Sequence, residues 1–343
     1  MIKLTKPHHH GGQLLAASEQ YQVPPGNWLD LSTGISPFVY PLPEVPKQCW
    51  QRLPEINDGL EKAASDYYGS DCLLAVSGSQ EAIQRFPLVR DFQKPQQTVG
   101  IISPAYHSHQ QAWQSAGYKV IELTSHQIDA RLNELDVLII VNPTNPTAQT
   151  FDPETLLGWH QQLASRGGWL MVDEAFMDVE PEQSLIRQTP KKGLMVLRSI
   201  GKFFGLAGIR LGFVWAEEHV LQSLAHYQDD WSVSHPARWA GRLALLDSDW
   251  HRAQRRKLPV LSKRLETLLV DNLKTPVQST ALFCYLQHEK AQQIQHGLAQ
   301  QGILVRLFDS PAALRFGLPA DEKQWQKLEI ALLNLKSEST RTI

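Results

Sequence analysis

The chain has 343 residues, 42% of them hydrophobic and 20% charged, with a formal net charge of −2. That composition belongs to an ordinary globular protein, and at this length it predicts one large domain plus a smaller one, because single cores stop growing near roughly 250–300 residues. It lacks the basic block of a nucleic-acid binder and any apolar run near the roughly 20 residues of a membrane span. Cys49, Cys72 and Cys284 are too few and too scattered for a disulfide framework or a zinc site. The opening "MIKLTKPHHHGG" has no apolar segment of the kind that directs secretion, so a soluble, cytoplasmic protein is expected.

In chain order, the first 45 residues are rich in Pro and Gly and show no strong period, so they are expected to run across the surface and join the smaller domain. Six short apolar runs follow, at 73–79, 98–104, 135–143, 168–174, 193–199 and 209–216. Continuous apolar character marks strands covered on both faces. Helix-like stretches at 80–92, 107–117 and 153–167 lie between several of them; the last has Pro153 in its first turn and Gly167 at its end. Such alternation predicts an α/β domain with a mostly parallel central sheet over 46–230. The two final strands, joined by a glycine loop, are the exception. From 231 to 343 long helices and short strands predict a smaller α+β domain, with a frayed tail after 335.

In an open parallel sheet the ligand sits beyond the carboxyl ends of the strands, so the residues after each run carry the chemistry. After 73–76 come Ser77, Gly78, Ser79 and Gln80, opening a helix whose backbone amides suit a phosphate. A turn of this kind is also an ordinary helix cap. After 98–103 comes Tyr106, placed to stack on a flat ring or merely to pack. "NPTNPTAQ" follows the third run; turn chemistry accounts for Asn142, and Asn145 is the better ligand contact. Asp173 ends an apolar strand, where a carboxylate is costly unless it meets a cation, whereas alternation turns Glu174 to the other face. Ser199, Lys202 and Arg210 close the series.

Together these residues form the set that pyridoxal 5′-phosphate requires. Gly78, Ser79, Gln80, Ser199 and Arg210 cradle the phosphate, Tyr106 stacks on the ring, and Asn145 meets the ring hydroxyl. Asp173 keeps the ring nitrogen protonated, and Lys202 supplies the amine that joins the aldehyde.

The order Ser-Gly-Ser, Pro-Ala-Tyr, Asn-Pro-x-Asn-Pro-Thr, Asp-Glu-Ala-Phe, Ser-x-x-Lys and Gly-x-Arg-Leu-Gly resembles fold-type I pyridoxal phosphate enzymes of the class I and II aminotransferase group. The resemblance implies a PLP-dependent transferase-like fold, Lys202 and Asp173 as catalytic residues, and a homodimer with sites near its interface. The segment "PHHHGGQLLAASEQYQVPPGNWLDLSTGISPFVYP" is similar to the start of L-threonine O-3-phosphate decarboxylases of cobalamin biosynthesis. That likeness implies a phosphorylated amino acid as substrate and (R)-1-amino-2-propanol O-2-phosphate as product. It places His10 and Gly11 at the substrate phosphate, the backbone of Gly34 and the amide of Asn145 at the substrate, and Arg306 and Arg315 on its anionic groups. His8 and His9 receive no role. Three positions depart from the pattern: Ala148 stands where relatives have glycine, Phe176 where aminotransferases have tyrosine, and Leu53 where a tyrosine reaches the partner's cofactor phosphate. A histidinol-phosphate aminotransferase is the nearest alternative. A nucleotide-binding α/β module lacks its glycine fingerprint here, and a catalytically silent relative would not need Lys202, Asp173 and Arg210.

Overall fold

The computed structural model describes residues 11–90 and 97–341. In chain order the described strands are β1 (Leu29–Leu31), β2 (Leu73–Val76), β3 (Thr98–Ile102), β4 (Lys119–Leu123), β5 (Val137–Val141), β6 (Trp169–Asp173), β7 (Leu194–Ser199), β8 (Gly212–Trp215), β9 (Gln278–Ser279), β10 (Phe283–Gln287), β11 (Ile303–Asp309) and β12 (Ala312–Gly317). It divides into two compact units, 38–258 and 1–37 with 259–343.

In the larger unit the described strands form one sheet in the order β2-β8-β7-β6-β5-β3-β4. The pairs from β4 to β7 are parallel; β8 runs antiparallel to both β7 and β2. The carboxyl ends of β2, β3, β5, β6 and β7 therefore share one edge with the start of β8, where Gly212 lies in register with both Val76 and Ser199. Every residue of β5, β7 and β8 is buried, as expected for strands covered on both faces. The helix Ser79–Val89 shows how one cover forms: Ala82, Ile83 and Phe86 fall on one helical stripe and join Val76, Val137, Met195 and Val214 in the core. Burying a side chain such as Phe86 contributes about 2–3 kcal/mol. The helix Pro153–Ala164 starts as its sequence predicts, with the Asp152 carboxylate accepting from Thr155 N at 2.8 Å and Pro153 in the first turn.

In the smaller unit the described strands are ordered β1-β11-β12-β10-β9. β1 pairs in parallel with β11, Leu29 against Ile303, so residues 29–31 join this unit as a strand. β11 and β12 form an antiparallel hairpin with Arg306 opposite Arg315.

The units divide at 37 and 258, where the sequence reading placed boundaries at 45 and 230. The helix His235–Leu246, read as part of the smaller domain, buries Ala237, Ala240, Gly241 and Ala244 in the larger unit. A Cβ on Gly241 would press on Leu211 and come 3.4 Å from Leu60. Its Arg238 holds Asp58 through Nε and Nη2, both at 2.8 Å. The long helix Ser248–Leu273 carries Pro259, the point at which the chain passes into the smaller unit. β4 and β1 went unread as strands because "KVIEL" mixes polar with apolar residues and "LDL" is only three residues long.

Candidate functional site

The turn between β2 and its helix is built around Gly78, with φ 71°. Among the described residues no side chain caps this helix start, so the amides of Ser79 and Gln80 open it toward the sheet edge. Arg210 approaches from the other side: a Cβ on Gly78 would sit 2.6 Å from its Nη2. A Cβ on Gly212 would sit 2.8 Å from Ser79 N and 2.7 Å from the Arg198 carbonyl. Ser199 Oγ accepts from Gly201 N at 3.3 Å and fixes the turn that carries Lys202. Gly78, Ser79, Gln80, Ser199 and Arg210 thus meet as a glycine-walled cradle that added side chains would fill. A helix start, a hydroxyl and a guanidinium are the donor set for a phosphate.

Beside the cradle, Tyr106 donates its hydroxyl to Gln80 Oε1 at 3.0 Å. Asp173 is 3% exposed; Oδ1 accepts from Ala175 N at 3.1 Å, and Oδ2 lies 2.9 Å from His109 Nε2. With the proton on Nε2, the imidazole donates to this carboxylate oxygen. His109 was not singled out in the sequence. It follows Tyr106 by three residues, and its main-chain N–H bonds the Tyr106 carbonyl at 3.3 Å, so the two rings stand edge to face at 6.2 Å. The only signal was its place in "PAYHSH", which offers His107 equally. Lys202 Nζ lies 5.6 Å from the centre of the Phe176 ring.

Asn142 is a turn residue: its side chain brackets Phe151, donating to the carbonyl and accepting from the amide at 2.9 Å each. Asn145 lies three residues further on in the same turn, half-buried. Ala148 takes φ 60°, in the left-handed region that favours glycine. The glycine-like geometry is kept although the residue is alanine.

The substrate residues expected in the smaller unit also converge. Gly11 lies against the carbonyl of Ser32, which leaves no room for a side chain. Gly12 N donates to Ser32 Oγ at 2.8 Å, and Ser32 Oγ donates to Asp30 Oδ1 at 2.6 Å. Arg315 Nη2 reaches the same Ser32 carbonyl at 2.6 Å, and buried Gly34 follows two residues later. Burial, then the neighbouring Arg306 charge, pushes Arg315 down to about 10, against the opposing pull of Asp30. Such a cation gains from an arriving anion. His10 lies outside the described residues.

The family profile of aminotransferase class I and II matches residues 51–330. The chain belongs to that family. It is 48% identical to the threonine-phosphate decarboxylase of Pseudomonas aeruginosa, over 95% of this chain and 98% of that one. It is 37% identical to the threonine-phosphate decarboxylase of a Sinorhizobium species, over 97% and 100%. The crystal structure of histidinol-phosphate aminotransferase from Sinorhizobium meliloti, in complex with pyridoxal 5′-phosphate, superposes with a TM-score of 0.78 at 19% identity, over 96% of this chain and 94% of that one.

Proposed function

We propose that this chain decarboxylates L-threonine O-3-phosphate to (R)-1-amino-2-propanol O-2-phosphate in cobalamin biosynthesis, with pyridoxal 5′-phosphate as cofactor. The 48% identity to a threonine-phosphate decarboxylase along nearly the whole of both chains carries the reading. The cradle of Gly78, Ser79, Gln80, Ser199 and Arg210 would hold the cofactor phosphate. Asp173 would hold a proton at the ring nitrogen, kept in place by His109; Lys202 would supply the tethering amine, with Tyr106 and Asn145 at the ring. When bound, the cofactor supplies a sink for the electron pair left as the Cα–carboxylate bond breaks.

The remaining work is orientation. A phosphorylated amino acid brings two anions, and Arg306 and Arg315 each offer a guanidinium that can grip one bidentately. Gly11 and His10 are assigned to its phosphate end and the backbone at Gly34 to the wall of the site. Holding both ends sets which bond at Cα is aligned to break. The carboxylate leaves as CO2, and a proton takes its place on Cα.

A homodimer in the cytoplasm is part of the proposal. Trp50, Leu53 and Trp231 line one groove of the larger unit and are 49–68% exposed, an apolar patch of the kind that marks an interface. No described helix is long and apolar enough to cross a membrane.

The experiment follows CO2 release and the visible absorbance of purified protein with L-threonine O-3-phosphate, and repeats both with Lys202→Ala. Release of CO2 without a 2-oxo acid, lost in the variant together with the visible band, is the expected result. Turnover that requires a 2-oxo acid and proceeds with histidinol phosphate would assign the chain to aminotransfer instead.

A further inference from the structure

Behind the strand ends that carry Asp173 and Ser199 lies a second polar cluster, closed to solvent. Alternation along β6 and β7 turns Glu174 and Arg198 to the face opposite the cradle. Arg198 Nη1 donates to Glu174 Oε2 at 2.9 Å, and Nη2 donates to Asp178 Oδ1 at 2.6 Å. None of the three side chains is more than 1% exposed. Leu185 N donates to Glu174 Oε1 at 2.9 Å, and Tyr67 donates its hydroxyl to Asp178 Oδ1 at 3.0 Å.

Burying one guanidinium and two carboxylates costs desolvation that a well-packed apolar trio would avoid, so such a cluster is weak as a source of stability. Nor is it needed to zip the strands, because main-chain pairing already sets Asp173 against Leu197. What the cluster reaches is the loop beyond the pairing. Glu174 opens the connection 174–193 and Asp178 lies in its first short helix, Met177–Val179; Phe176, between them, presents its ring 5.6 Å from Lys202 Nζ. Arg198 itself stands four residues before Lys202 on the segment that leads into the amine. Burial raises Glu174 above the usual carboxylate range, with Arg198 pulling the other way.

We infer that Arg198 is a positioning residue: by clamping both Glu174 and Asp178 it fixes the loop after Asp173 against the segment that presents Lys202. The inference rests on the assignment of Lys202 and Asp173 as the cofactor-bearing pair.

The test compares wild type with Arg198→Lys, which keeps the charge and loses the fork, and with the neutral triple variant Glu174→Gln, Asp178→Asn, Arg198→Met. Each holoprotein is measured for thermal melting, for the pH midpoint of its visible band, and for kcat and KM of CO2 release. Positioning predicts melting within about 4 °C of wild type. It also predicts kcat lower by roughly tenfold or more at unchanged KM, and a displaced midpoint. A lowered melting temperature with wild-type kcat and midpoint would overturn the inference and leave the cluster a structural one. If the triple variant does not fold, Arg198→Lys decides on the same criteria. A wild-type protein without any Lys202-dependent band would instead overturn the cofactor assignment, and this inference with it.

Discussion

His109 Nε2 and Asp173 Oδ2 are 2.9 Å apart, with side chains at most 5% exposed. In the proposed function the Asp173 carboxylate meets the cofactor ring nitrogen, and the imidazole fixes its direction. His109→Phe keeps the bulk and removes the donor. Losing a hydrogen bond to a charged acceptor costs about 1.5–3 kcal/mol. If that loss is felt in the transition state, kcat for CO2 release falls by roughly 10–100-fold while the cofactor still binds. Steady-state kinetics on holoprotein of matched cofactor content checks this; an unchanged kcat would show that Ala175 N alone orients Asp173.

Arg315→Lys is expected to raise KM for the phosphorylated substrate by roughly tenfold or more, because a single ammonium cannot reproduce the two-pronged grip of a guanidinium. The Ser32 carbonyl loses its 2.6 Å donor at the same time, so the loop after β1 loosens. Initial rates over a range of substrate concentrations separate this effect from a fall in kcat.

Asp58 connects stability to pH. Burial raises its carboxyl, but the paired Arg238 bonds and the Leu60 N–H outweigh that and hold it below the usual carboxylate range. A depressed folded pKa means a contribution fully present above about pH 3.9, the unfolded value, and lost as the pH falls through the lower folded value. Asp58→Asn is therefore expected to destabilise by about 1–2 kcal/mol at pH 7 and by progressively less in strong acid. Melting temperatures of the two proteins from pH 7 down to pH 2 should converge; a constant gap would show that the ionised form is not what matters.

Ala148, at φ 60°, pays for a conformation that glycine adopts freely. The left-handed region costs an ordinary residue about 1–2 kcal/mol, and glycine returns about 0.5–1 of this as unfolded-chain entropy. Ala148→Gly should thus stabilise by roughly 0.5–1 kcal/mol, seen as a raised denaturant midpoint at unchanged slope. A lower midpoint would mean that the methyl group makes packing contacts worth more than the strain.

Much of this site was legible because its residues follow apolar strands, and strand ends are where an open sheet presents a ligand. Gly78, Asp173, Ser199 and Arg210 could be picked out from that rule alone, and the fold brings them to one edge. His109 could not, since only the helix after β3 decides which histidine of "PAYHSH" turns inward. Alternation turned Glu174 correctly away from the cradle, yet its partner Arg198 was hidden in "LMVLRS", where a buried guanidinium looks like an interruption of the strand. The boundary near 258 was equally hidden. An amphipathic helix such as His235–Leu246 declares that it packs on something, and only Leu60 and Leu211 reveal on what.

The pairing of Leu29 with Ile303 bears on how the molecule is made. As the polypeptide leaves the ribosome, residues 38–258 can complete a unit of their own, because all the strands of that sheet lie within the interval. β1, synthesised earlier, has no partner until β11 emerges. β1 is thus secured only after the whole of 38–258 has been made, and meanwhile it waits as an unpaired edge that nascent-chain factors or proteases can reach.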